Sequence, residues 1–127
     1  FMPLHPTKYA EMLSKKIGKT GINVWLINTG WNGQKKRMSL KDTRAVINAA
    51  LEGKLDNIHY KKDPFFGFEI PVSIEGVDAT KLDPANSFDS HETYEENAKV
   101  LAAKFKANFK TFEEFASKEL LAGGPVI

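Results

Sequence analysis

The sequence predicts an α/β segment of mixed layering, with three main helices (6–17, 39–52 and 90–115) around a small mixed sheet. Three observations carry that expectation. Apolar residues recur at helical spacing behind good capping residues. The run Ile22 to Asn28 has strand character, and shorter alternating runs flank Asp63-Pro64. Gly and Pro stand at the ends of the helical stretches, where they start or stop an element.

The first helix opens with Pro6, which suits a first helical position. Tyr9, Leu13 and Ile17 form its apolar stripe, and Gly18 with Gly21 stops it. Ile22, Val24 and Leu26 face one way along the next run, and Trp25 and Ile27 the other. Apolar residues on both faces predict an interior strand. Asn32-Gly33 reads as a turn dipeptide, because both residues tolerate positive φ. Ser39 is an N-cap for the second helix, with Asp42 three residues on as a short relative of the capping box. Leu40, Ile47, Ala50 and Leu51 form its expected apolar stripe, and Gly53 ends it. Ile58/Tyr60 and Phe66/Phe68/Ile70 read as two strands joined at Asp63-Pro64. Residues 71–89 hold Pro71, Gly76, Pro84 and Asn86 and are expected to be irregular. From Ser90, Tyr94, Ala98, Leu101, Phe105, Phe109 and Phe112 step by four, three, four, four and three, one face of a long helix. Ala122-Gly123-Gly124-Pro125 reads as a loose tail.

Composition bounds the function classes. A chain of 127 residues is one domain's worth and buries about two thirds of its unfolded surface. Apolar residues at 42% and charged ones at 27% are ordinary for a soluble globular protein. No apolar run approaches the ~20 residues needed to span a bilayer, and no signal peptide is visible, so no membrane partner is expected. The absence of cysteine excludes disulfides, thiolate nucleophiles and sulfur-ligated metals, and is compatible with a reducing cytoplasm. The opening phrase Phe1-Met2-Pro3-Leu4 is already apolar, which leads us to expect a piece of a longer chain.

The residues that carry chemistry lie at 28–44. A strand, a glycine-bearing loop (Gly30, Gly33), three cations (Lys35, Lys36, Arg37) and a helix N-terminus follow in order. The unpaired N–H groups and dipole of a first helical turn favour an anion. Charge supports that: residues 1–50 carry nine Lys/Arg against two acids, whereas residues 51–127 carry nine against fourteen. A phosphate-bearing ligand is the first reading, and a solvated lysine surface is its rival. Arg37 offers a planar donor fork to a ligand, or pairs with Asp42, or is simply solvated. Thr43, one turn into the helix, more commonly bonds its own backbone or faces water. Trp31 has a ring to stack on a base, although core packing is the expectation. Gly30 and Gly33 suit a tight turn as readily as a ligand's close approach.

Other chemistry is missing. His5, His59 and His91 are scattered at no metal-like spacing, the carboxylates form no acid/base pair, and no G-x-x-x-x-G-K-[ST] loop occurs. Neither catalytic nor metal-binding residues are assigned in this chain. The last helix carries Lys99, Lys104, Lys106 and Lys110, but Glu92, Glu95, Glu96, Glu113 and Glu114 beside them argue against a nucleic-acid face. A non-enzymatic basic nucleic-acid-binding module, or a protein-interaction module, is the alternative to an enzyme.

At Asn28-Thr29-Gly30-Trp31-Asn32-Gly33, Lys36-Arg37-Met38-Ser39 and Lys41-Asp42-Thr43-Arg44 the chain resembles the C-terminal part of ATP-dependent phosphoenolpyruvate carboxykinases. The likeness includes Leu4 to Glu11, Asn48 to Gly53, Pro64 to Pro71, Gly76-Val77, Leu82-Asp83-Pro84 and the Ala98–Phe109 helix, essentially the whole sequence. It implies that residues 1–127 are the C-terminal portion of the mononucleotide-binding domain of that fold. It further implies a cytoplasmic enzyme that decarboxylates oxaloacetate and phosphorylates the enolate with ATP, giving phosphoenolpyruvate, ADP and CO₂, the entry step of gluconeogenesis. Arg37 and Met38 (the latter through its backbone) and the Thr43 hydroxyl would then line the adenosine site. Mg²⁺ and Mn²⁺, the phosphate loop, the oxaloacetate-binding arginines and the mobile lid would belong to an N-terminal part outside this chain, so the isolated chain is expected to be inactive. Two departures stand out: Lys35 replaces a glycine common before the Lys-Arg pair, and Ala85 replaces an arginine in Leu82-Asp83-Pro84-Ala85-Asn86-Ser87.

Overall fold

A computed structural model describes residues 3–127; Phe1 and Met2, the start of the apolar opening phrase, lie outside the described residues. Helix α1 (Pro6–Thr20) is followed by α2 (Leu40–Leu51), strands β1 (Tyr60–Lys62) and β2 (Glu69–Pro71), α3 (His91–Phe109) and α4 (Lys118–Ala122). Three 3-10 turns, Ala79–Lys81, Pro84–Ser87 and Glu113–Phe115, fill the connections. The mixed α/β class expected from the sequence is therefore what forms, with one addition, the short α4.

Ser39 and Ser90 cap their helices as expected, and His5, not expected as a cap, does the same for α1. The His5 side chain accepts the Thr7 N–H ahead of α1, Ser39 accepts the Asp42 N–H ahead of α2, and Ser90 accepts the Thr93 N–H ahead of α3. Gly21 closes α1 at φ 64°, donating its N–H to the Ile17 carbonyl. The expected third helix is shorter than 90–115, because a break after Phe109 passes into the 3-10 turn at Glu113–Phe115.

The sheet is smaller than expected and wholly antiparallel. Strands β1 and β2 pair Tyr60 with Pro71, Lys61 with Ile70 and Lys62 with Glu69. Buried Asp63 organises their connection. Its Oδ1 accepts the N–H of Phe65 (2.9 Å) and of Phe66 (2.6 Å), and its Oδ2 accepts the Tyr94 hydroxyl (3.2 Å). Burial and the neighbouring carboxylate push the Tyr94 phenol up to about 12. The chain end is not loose, because the Val126 N–H donates to the Phe65 carbonyl at 2.9 Å.

The run Ile22 to Asn28 pairs with no strand among the described residues. Ile22, Val24 and Leu26 are exposed, Leu26 to 82%. Apolar side chains on both faces make an interior strand only when neighbours stand on both sides to complete the ladder.

Two small cores result. Val46, Ala49, Leu55 and Ile74 form one, with Trp25, Ala50, Ile58, Val77 and Leu82 against it. Phe65, Tyr94 and Ala98 form the other, with Phe66, Ala85 and Phe88. Helix α2 therefore buries Asp42, Val46 and Ala49, not the stripe expected from the sequence. Leu40 (74%) and Leu51 (81%) face outward. In α3 the expected stripe holds at Tyr94 and Ala98, but Ala102 is fully buried while Leu101 and Phe105 are exposed. Helix α1 buries nothing, and its Leu13 is exposed.

Asp63→Ala strands two backbone N–H groups and a buried phenol at once. We expect it to lower stability by about 2–4 kcal/mol, measured by urea unfolding, with Tyr94→Phe costing only about 1 kcal/mol.

Candidate functional site

The glycine loop at 28–37 folds as a three-residue hairpin. Trp31 and Arg37 face each other across an isolated antiparallel bridge. The Asn32 N–H donates to the Lys36 carbonyl and the Lys35 N–H to the Asn32 carbonyl, both at 2.9 Å. Asn32 Oδ1 also accepts the N–H of Gln34 (3.1 Å) and of Lys36 (2.9 Å). This is a turn over Gly33 and Gln34 followed by one left-handed residue, the common build of a three-residue hairpin loop. The left-handed residue is Lys35, at φ 57°, the one non-glycine with positive φ among the described residues. The Asn32-Gly33 pair does not supply the positive φ expected of it; its role is to cap the turn and to allow contact.

That contact is with the protein itself. The Gly33 N–H donates to Ser87 Oγ at 2.9 Å, and a Cβ on Gly33 would lie 2.6 Å from both the Ser87 carbonyl oxygen and Phe88 Cδ2. Gly33 thus seats the hairpin on the turn at Pro84–Ser87, which leaves no close approach for a ligand at this glycine. The Gly30 N–H is taken by Asn28 Oδ1 at 2.8 Å.

Trp31 does not pack into a core as expected. It is 67% exposed, with the Arg37 guanidinium carbon 5.1 Å from its ring centre. Arg37 makes no ion pair among the described residues, so its donors remain available. The alternative pairing with Asp42 does not form, because Lys81 holds that carboxylate.

The mouth of α2 explains why. Asp42 is 4% exposed, and its Oδ2 accepts both the Ser39 hydroxyl and Lys81 Nζ at 2.7 Å. Lys81 and then Ser39 hold the Asp42 carboxyl below its usual range, while the carboxylate raises Lys81 in turn. The positive end of α2 already carries an anion of the protein's own. A phosphate arriving there would meet a carboxylate already paired with Lys81, whereas a neutral or aromatic group carries no charge for it to repel.

Arg37, Met38, Ser39, Asp42, Trp31 and Lys81 share the wall of a cleft of about 1870 Å³ that also runs along 23–30 and 80–88. Thr43 is half-buried, lies off that wall, and its hydroxyl makes no hydrogen bond among the described residues. The structure thus brings Arg37 and Met38 together on the cleft, and sets Thr43 one turn behind them. Lys81 was invisible to sequence reasoning, since it stands 39 positions from its partner and no local pattern marks it. No three His, Cys, Asp or Glu side chains come together as a metal site among the described residues. None of the helices among them is long and apolar enough to cross a membrane.

The mixed α/β segment thus presents a cationic hairpin and a capped helix to one open cleft. Residues 1–80 match the family model described as phosphoenolpyruvate carboxykinase, and the chain belongs to that family. It is 53% identical over 130 residues to phosphoenolpyruvate carboxykinase (ATP) of Flavobacterium johnsoniae and 50% identical over 130 residues to that of Christiangramia forsetii. In both the alignment takes in 99% of this chain and 24% of the relative. The enzyme of the same name from Novosphingobium aromaticivorans is 43% identical over 132 residues, 99% of this chain and 25% of its own length. The chain therefore spans about a quarter of the length of the curated relatives it matches.

The hairpin yields a prediction of opposite signs at neighbouring positions. A left-handed lysine is strained where glycine is not, so Lys35→Gly should raise stability by up to about 1 kcal/mol. Gly33→Ala forces its methyl into Ser87 and Phe88 and should lower stability by about 1–3 kcal/mol. Thermal midpoints of the two variants against the parent chain test both.

Proposed function

We propose that this chain supplies part of the adenosine pocket of an ATP-dependent phosphoenolpyruvate carboxykinase, as the C-terminal portion of its mononucleotide-binding domain. The observation that carries the reading is the pairing of Arg37 and Met38 on one cleft wall, directly ahead of a helix mouth whose anion site Asp42 already fills. Such a wall suits the nucleoside end of ATP better than its phosphates. The free guanidinium of Arg37 donates to ribose or base, the Met38 backbone bonds the purine edge, and Trp31 gives the pocket an exposed aromatic face. The Thr43 hydroxyl, without a partner of its own among the described residues, contributes from behind when the nucleotide seats.

In the whole enzyme, oxaloacetate loses CO₂ to an enolate, and that enolate takes the γ-phosphoryl group of ATP. Charge develops at the enolate oxygen and across the transferring phosphoryl group, and cations must be placed there. Among the described residues no three His, Cys, Asp or Glu side chains cluster to hold Mg²⁺ or Mn²⁺. The task left to these residues is to bind and orient the nucleoside so that its phosphates reach machinery elsewhere. The exposed apolar faces at Ile22–Leu26, Leu40/Leu51 and Leu101/Phe105 are then surfaces covered by the remaining three quarters of such an enzyme, in the cytoplasm where ATP and oxaloacetate meet.

In the full-length enzyme, Arg37→Ala should weaken ATP binding by roughly 1.5–3 kcal/mol and Thr43→Val by about 0.5–1.5 kcal/mol. ATP affinity unchanged in both variants would remove the site assignment. The isolated chain, given oxaloacetate, ATP and both metals, should form no phosphoenolpyruvate above blank; turnover would refute its assignment as a nucleoside-positioning part only.

A further inference from the structure

We propose that Lys81 is a positioning residue for the nucleotide, acting through Asp42 and Ser39 to fix the α2 mouth and with it the backbone of Arg37 and Met38. The inference deepens the adenosine reading above and rests on it.

The geometry is a single node. Asp42 Oδ2 receives Lys81 Nζ from one side and the Ser39 hydroxyl from the other, each at 2.7 Å. Ser39 Oγ accepts the Asp42 N–H at 3.1 Å, so the residue that orients the carboxylate is also the helix cap. One oxygen therefore joins the cap, the first turn of α2 and a distant 3-10 turn. Ser39 follows Met38 directly, so a shift of the cap moves Met38 and Arg37 without any intervening slack.

Lys81 is itself well placed. Its turn is pinned by Asp78 Oδ1, which accepts the Thr80 N–H (3.0 Å) and the Thr80 hydroxyl (2.7 Å), and by Asn86 Nδ2 donating to the Thr80 carbonyl (3.1 Å). Its side chain is half exposed, whereas that of Asp42 is 6% exposed. That asymmetry decides the direction of control. A solvent-reaching ammonium tolerates the loss of its partner, but a buried carboxylate left alone must move, protonate or admit water. Removing Lys81 also leaves the Asp42 carboxylate on the cleft wall without its counter-charge, so the first turn of α2 shifts to re-solvate it, against nucleotide binding.

The test uses the full-length enzyme, with ATP as the probe in equilibrium binding and in steady-state kinetics. Lys81→Met should raise the ATP Kd and KM about tenfold with kcat within about twofold, and Lys81→Arg should return both to within about threefold of the parent. Acting through Asp42, the loss should vanish when Asp42 is neutral: Lys81→Met added to Asp42→Asn should change Kd by less than about twofold. The comparison of the double variant with Asp42→Asn alone also serves if Lys81→Met does not fold. Unchanged ATP affinity in Lys81→Met, or an equal loss with and without Asp42, overturns the inference while Arg37→Ala still weakens ATP. If Arg37→Ala leaves ATP affinity unchanged too, the adenosine reading itself fails and this inference falls with it.

Discussion

A buried carboxylate at a helix start is the constraint around which this structure is arranged. Asp42 sits in the first turn of α2, where the helix dipole favours negative charge, yet it is nearly inaccessible to water. An ion in that position needs a full set of partners, and the protein provides them from two directions, Ser39 within the turn and Lys81 from outside it. The same node that holds α2 in place therefore determines what its mouth can bind. With Lys81 on Asp42, Arg37 is left without an ion pair among the described residues, and the nucleoside reading proposed above rests on that arrangement.

How far the sequence could be read follows from which forces are local. Helix starts are local, and Pro6, Ser39 and Ser90 marked them correctly because capping depends on residues within one turn. Helix faces are not local. On α2 the apolar spacing of Leu40, Ile47 and Leu51 competes with that of Val46 and Ala49, and the choice was made by Leu55 and Ile74, which periodicity cannot see. The buried face even includes Asp42, which an apolar count would never select. The strand expected at Ile22 to Asn28 failed for the same reason: strand character is a property of a run, but a strand is a property of a ladder. Trp31 was expected in a core because tryptophans usually bury, whereas the hairpin register turned it toward the cleft and Arg37.

Lys35 shows the complementary case, a local fact that only acquired its reason in three dimensions. Resemblance marked it as a lysine where a glycine is common, without saying why glycine belongs there. The answer is the backbone: a three-residue loop needs its last residue at positive φ, and Lys35 takes φ 57° to keep the Trp31–Arg37 bridge in register. Asn32 makes this tolerable, its Oδ1 accepting the backbone N–H groups of Gln34 and Lys36. Lys35 does not line the cleft, so the charge it adds is no part of the Arg37–Met38 wall.

The placement of the cleft follows from two segments that each touch both cores. Residues 25–33 begin at Trp25, packed on the Val46–Leu55 core, and end at Gly33, seated on Phe88 of the other. Residues 82–88 do the same from Leu82 to Phe88, with Lys81 and Asp83 reaching back to α2 and to β1 through their ion pairs. The two segments meet where the Gly33 N–H bonds Ser87 Oγ. Neither core has a fully buried large side chain among the described residues, so each is small, and these crossings couple them. The cleft runs along that junction and over the first core, whose Val46, Leu55 and Ile74 also line it. The Gly33–Ser87 bond therefore fixes where the two segments meet, and the Arg37–Met38 wall stands beside that junction because the hairpin that carries Arg37 is seated there through Gly33.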